Sequence, residues 1–99
     1  MRFEWDEEKR AGNWLKHRVE FELAATVFND PLAVMRLNRI EGDEERWMIL
    51  GNTPGRSLLS VVHTLRVDDT GQEVVRIISA RKATAHERHD YSEGRHQDD

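Results

Sequence analysis

The chain has 99 residues, no cysteine, and 15 basic against 19 acidic side chains, for a formal net charge of −4. That length supports one modest core. The missing thiols exclude a disulfide framework, a thiolate zinc site and a cysteine nucleophile, and the acidic balance argues against a simple electrostatic nucleic-acid binder.

The first predicted element is a helix over "WDEEKRAGNWLKHR". Asp6 serves as its N-cap, acids fill the first turn, and Lys16, His17 and Arg18 close the last turn as the macrodipole prefers; Trp14 and Leu15 are its expected buried side. A second helix, "EFELAATVF", carries an apolar stripe at Phe21, Ala24, Ala25, Val27 and Phe28. "NDP" stops it, because Asn29 and Asp30 favour turns and Pro31 excludes a continuing helix. The period then changes to that of strands, over roughly 33–40, 46–52, 57–67 and 73–81, separated by "EGDEE", "TPGR" and "DDTG". A last helix begins at Thr84, whose hydroxyl caps it, with Glu87 completing a capping box. The expected class is α+β: two N-terminal helices, a four-stranded antiparallel sheet and a C-terminal helix, in a single domain over residues 1–93 with 94–99 as a disordered tail. No apolar run approaches the ~20 residues that cross a bilayer, and the amino terminus lacks a signal peptide's apolar stretch, so a cytoplasmic protein without membrane contact is expected.

Charge is unevenly spread. Residues 31–83 hold eight basic side chains, seven of them arginine, against seven acidic ones, while both ends lean acidic. Arginine's planar donor fork suits phosphate or carboxylate. Pairing Thr53 with Arg56 across "TPGR", and Val67 with Gln72 across "DDTG", places His63 opposite both Arg46 and Arg76. A row of cation, imidazole and cation suits RNA cleavage by the internal 2′-hydroxyl, which needs proton transfer and positive donors for the phosphorane charge. The alternative is structural: His63 alternates with Leu59, Val61 and Leu65 as a half-buried histidine satisfied by a carbonyl, and Arg46 and Arg76 are solvated or paired with Glu44 and Glu73. "HERH" lacks the four-residue histidine spacing of a zinc helix, and "EGDEE" lacks the spacing of a calcium loop, so no metal or other cofactor is expected. "SARKA" puts Arg81 and Lys82 at the exit of the last strand, where they serve either solubility or phosphate contact.

"FEWDEEKRAGNWLKHRVEF", "AATVFNDPLAV", "VVHTLR" and "RIISARKAT" together resemble the BrnT family from Phe3 to about Tyr91. The resemblance implies a ribonuclease toxin of a type II toxin–antitoxin module with a RelE-like fold. It also implies a BrnA-like ribbon-helix-helix antitoxin as partner, RNA as substrate, and operator DNA reached only through the antitoxin. The family's recurrent polar positions match Lys16, His17, Arg46, His63, Arg76, Arg81, Lys82, Glu87 and Tyr91. Of these, His63, Arg46 and Arg76 are the expected catalytic set, Arg81, Lys82, Lys16 and His17 the substrate contacts, and Glu87 and Tyr91 the supports. Two departures stand out: Arg18 replaces a glycine suited to the left-handed turn between helices, and Leu65 replaces an acid. The expected function is thus a metal-independent endoribonuclease that inhibits translation. A non-catalytic protein-binding module and an RNA-binding regulator are the rival classes.

Overall fold

The computed structural model describes residues 1–94 and has the element order β1 (Arg2–Trp5), α1 (Glu7–His17), α2 (Phe21–Ala25), a 3₁₀ helix (Thr26–Asn29), β2 (Val34–Glu41), β3 (Glu44–Asn52), β4 (Leu58–Val67), β5 (Glu73–Lys82) and α3 (Ala85–Ser92). Of the expected tail at 94–99, residues 95–99 lie outside the described residues.

The sheet corrects the expected architecture. It has five strands in the order β1-β5-β4-β3-β2 and is mixed, because β1 pairs parallel with β5 while the other neighbours are antiparallel. The helices therefore follow a strand. "RFEW" is four residues long and identifies itself only beside its partner: Phe3 and Trp5 turn toward the helices, where Trp5 meets Phe21 edge-on at 5.9 Å and Phe3 meets Phe28 at 5.3 Å.

Local chemistry accounts for the helix ends. Asp6 accepts from the Glu8 and Lys9 amides at 2.8 and 3.1 Å, and Thr84 forms the full capping box with Glu87. Arg18 ends α1 in the left-handed region at φ 58°, donating its N–H to the Trp14 carbonyl, with its guanidinium 5.5 Å from the Trp14 ring centroid. The expected buried side of α1 is not the observed one: Trp14 is 38% exposed and Leu15 72%, and Asn13 is buried. β1 pairs only as far as Ile77, so the continuing edge of β5 lacks a strand. Asn13 takes its place, donating to the Ala80 carbonyl at 2.9 Å and accepting from the Ala80 amide at 3.0 Å, with a further bond to the Val19 carbonyl.

One face of the sheet is covered by α2 and the 3₁₀ helix, burying Phe21, Ala24, Val27, Ile49, Leu59, Val61, Val75 and Ile77. Close approach is achieved at Gly51, where a Cβ would lie 2.9 Å from the Val27 Cβ and carbonyl oxygen. The opposite face is covered at one end only, by α3, over Val34, Met48 and Leu50 with Ala83 and Tyr91. The remainder of that second face is open and charged.

Candidate active site

Both hairpins set the register by the same device. Arg56 donates to the Thr53 carbonyl and adopts φ 66°, and Thr53 N–H reaches Ser57; the first ladder pair is Asn52 with Leu58. Gly71 at φ 86° repeats the arrangement after Asp68, and the first pair there is Val67 with Glu73. A β-turn followed by a left-handed residue matches strand twist better than a tight Pro-Gly turn, and it lengthens each loop by one residue. Each register therefore moves by one, and a one-residue slip exchanges faces.

The expected row of Arg46, His63 and Arg76 is corrected accordingly. His63 lies opposite Trp47 and Ile77, whereas Thr64 lies opposite Arg76 and, continuing the β3 ladder, opposite Arg46. The two arginines thus flank Thr64 on the open face, and His63 points the other way. It is 0% exposed, edge-on to Phe28 with 4.8 Å between ring centroids. Its Nδ1 lies 3.2 Å from the Val61 carbonyl, while Nε2 has no hydrogen-bond partner among the described residues. Burial holds its pKa below the usual histidine value.

The open face carries a groove of about 1100 Å³ whose lining includes Lys9, Arg46, Trp47, Thr64, Arg66 and Arg76. The β2–β3 hairpin, turning at Gly42, borders it with Asp43, Glu44 and Glu45. Its cations are held in place by carboxylates. Glu41 and Glu44 lie 3.1 and 3.5 Å from the Arg46 guanidinium, and Glu4 takes a two-pronged bond from Arg66 at 2.7 and 3.2 Å with Arg76 at 3.7 Å. The Arg66 bonds, assisted by the charges of Arg2 and Arg76, hold the Glu4 carboxyl below its ordinary pKa.

The remaining expected site residues lie elsewhere. Arg81 makes a two-pronged bond to Glu87 at 2.8 and 3.0 Å, which together with the Thr84 amide keeps the Glu87 carboxyl below its ordinary pKa. Tyr91 donates to Asp30 at 2.6 Å and accepts from Asn52 at 3.2 Å. Burial pushes Tyr91 up, and the carboxylate adds to it; burial also pushes Asp30 up, but bonds from the Asn52 amide, Tyr91 and the Leu32 amide outweigh it and leave Asp30 lowered. These bonds fasten α3 to the sheet. Lys16 and His17 end α1 and Lys82 ends β5; none of the three lines the groove. Lys9, Thr64, Arg66 and Glu4 were not singled out by sequence. For Thr64, Arg66 and Glu4 the signal was the alternation of strand residues, which becomes readable only once the register is known; Lys9, on α1, carried no such signal.

Residues 5–87 match the family described as the ribonuclease toxin BrnT of type II toxin–antitoxin systems. The chain belongs to the BrnT family. It is a ribonuclease toxin of a type II toxin–antitoxin system, which gives it RNA as substrate and an antitoxin as partner. Its structure is similar to the crystal structure of the Brucella abortus ribonuclease toxin BrnT, with a TM-score of 0.59 and 26% identity, covering 85% of this chain and 97% of that one. No curated protein matches it in sequence. Among the described residues, no helix is long and apolar enough to cross a membrane.

Proposed function

We propose that the chain is a metal-independent endoribonuclease acting in the cytoplasm, that it binds the RNA backbone in the arginine groove of its open sheet face, and that it reduces translation by cutting RNA there. The observation that carries this reading is the juxtaposition of Arg46, Thr64 and Arg76 across three strands, with Lys9 and Arg66 beside them. Guanidinium groups fixed on strands can grip a phosphodiester and neutralise charge that develops on it, the part a metal ion plays in other nucleases. His63 belongs to the core beneath this surface, and Arg81, Glu87 and Tyr91 support the site by fixing α3. Lys82, Lys16 and His17 supply peripheral contacts to longer RNA. The antitoxin is a BrnA-like ribbon-helix-helix protein, through which operator DNA is reached.

The test is cleavage of single-stranded RNA by the wild type and by Arg46→Ala and Arg76→Ala. Losing one donor to the developing charge should slow cleavage by about 10²-fold, and each lost phosphate contact should reduce the salt slope of binding by about 0.7. Induction of the wild type alone should arrest bacterial growth, with rescue by coexpressed antitoxin. Wild-type cleavage rates and salt slopes in both variants would remove the groove from the site.

A further inference from the structure

Among the described residues, the groove's lining contains no histidine, and His63 is sealed behind the sheet. Yet the flank of α3 that leans toward the groove carries an imidazole beside a buried carboxylate. The two sides of α3 reach different rungs of the sheet. Tyr91 bonds Asn52 at the far end of β3, whereas Asp90 bonds Arg36 at 2.9 Å, and Arg36 is the ladder partner of Met48. From Asn52, Met48 lies four residues along β3 toward Arg46. The Arg36–Met48 rung therefore stands only one side-chain repeat, about 7 Å along the strands, from the rung of Arg46 and Thr64. His86, one turn before Asp90, shares the flank: its Nε2 lies 3.6 Å from the same Asp90 oxygen that Arg36 holds. The Asp90 side chain is 8% exposed and that of His86 is 81% exposed.

We infer that His86, oriented by Asp90 and Arg36, is the proton donor to the leaving group in RNA cleavage, and this rests on the groove reading above. The 3.6 Å contact is an ion pair when the ring carries both protons, the form that can donate. With Nε2 turned to Asp90, Nδ1 is the nitrogen left for the substrate. In the step, the 2′-oxygen bonds to phosphorus as the bond from phosphorus to the 5′-oxygen breaks. The 2′-hydroxyl proton passes to solvent water, the 5′-oxygen takes the proton from the imidazolium, and the ring regains one from solvent. The products are a 2′,3′-cyclic phosphate and a 5′-hydroxyl end. Asp90 is a positioning residue, and among the described residues the charged groups that meet here include Asp90 and His86 from α3 and Arg36 from β2.

Because His86 is exposed, His86→Gln leaves folding intact, and His89→Gln, at an exposed position outside the site, is the control. His86→Gln should lower kcat by about 10²-fold with little change in KM, the scale of general acid catalysis. It should also abolish the decline of kcat at rising pH that reports an essential protonated imidazole; His89→Gln should change neither. Independently, an uncleavable 2′-O-methyl RNA dinucleotide added to the full-length wild type should shift the His86 ring resonances and leave those of His89 in place. Retention of kcat and of the pH profile in His86→Gln, or an unmoved His86 resonance with the dinucleotide bound, overturns the assignment. Arg46→Ala in the same series keeps the outcomes apart: if it loses activity while His86→Gln does not, the groove stands and the proton donor falls.

Discussion

His63→Leu separates a core histidine from a catalytic one. The ring is 0% exposed and its Nε2 is unpartnered, so the native state carries an orphaned polar atom worth about 1–3 kcal/mol of destabilisation. Leucine removes that orphan and loses the contact to the Val61 carbonyl and the edge-on ring contact to Phe28. Stability at pH 7 should change by less than about 1.5 kcal/mol, as for volume-conserving core exchanges. The pH dependence is more diagnostic. Burial lowers the His63 pKa in the folded state, so below the unfolded value of about 6.5 the unfolded chain binds a proton that the native one refuses. The wild type therefore loses stability as pH falls, at a limiting slope of about 1.4 kcal/mol per pH unit, until the native pKa is reached. Glu4, Asp30, Asp68 and Glu87 have lowered pKa values and act in the same direction, but in the carboxylate range below about pH 4.5. Urea unfolding at pH 7, 6 and 5 should show the slope in the wild type and a flatter profile in His63→Leu, with RNA cleavage per folded molecule unchanged. Collapse of cleavage at preserved stability, or an undiminished slope, would refute the placement of His63 in the core.

Three further outcomes follow from the packing, each measurable by chemical denaturation or by cleavage assay. Asn13→Ala strands the Ala80 amide and carbonyl in a buried edge, at about 1–3 kcal/mol for each orphaned group; a loss under about 1 kcal/mol in total would show that water replaces the side chain. Arg18→Gly should stabilise the fold by about 1 kcal/mol by relieving the left-handed residue after α1, unless the Trp14 contact is stronger than a typical exposed cation–π pair. Excess EDTA should leave cleavage unchanged, and inhibition reversed by added divalent metal would contradict the arginine-based mechanism.

The helices were legible because their signals are local. Asp6, Thr84 with Glu87, and the "NDP" stop act within a few residues of the ends they define, and the bounds found for α1 and α3 follow them closely, whereas the expected second helix is split into α2, ending at Ala25, and a 3₁₀ helix that runs on to the stop at Asn29. The strands over β2 to β5 were legible as elements for the same reason. The missed strand, β1, depends on partners more than seventy residues away, since Arg2 pairs with Val74. The misjudged face of α1 has the same origin. Trp14 and Leu15 read as a buried side only if the helix packs flat on the sheet, whereas α1 lies along the open edge of β5 and buries the residue that can hydrogen-bond it, Asn13.

Register is where sequence reasoning about the site met its physical limit. Arg56 and Gly71 are the added loop residues, and their effect reaches far beyond their own turns, because strand side chains alternate with period two. One residue more in each hairpin leaves Arg46 and Arg76 aligned with each other, since both ladders shift together around β4. It replaces the residue between them, putting Thr64 on the charged face and sending His63 into the apolar one. A bulge at Ile78 then restores the alternation needed to bury Ala80 beside Val61. The cationic half of the expected site thus survives the shift while its imidazole does not. The histidine we assign in its place, His86, sits on the helix fastened to that face by Arg81, Arg36 and Asn52, so the short C-terminal helix gains a reason to be tied down at three points.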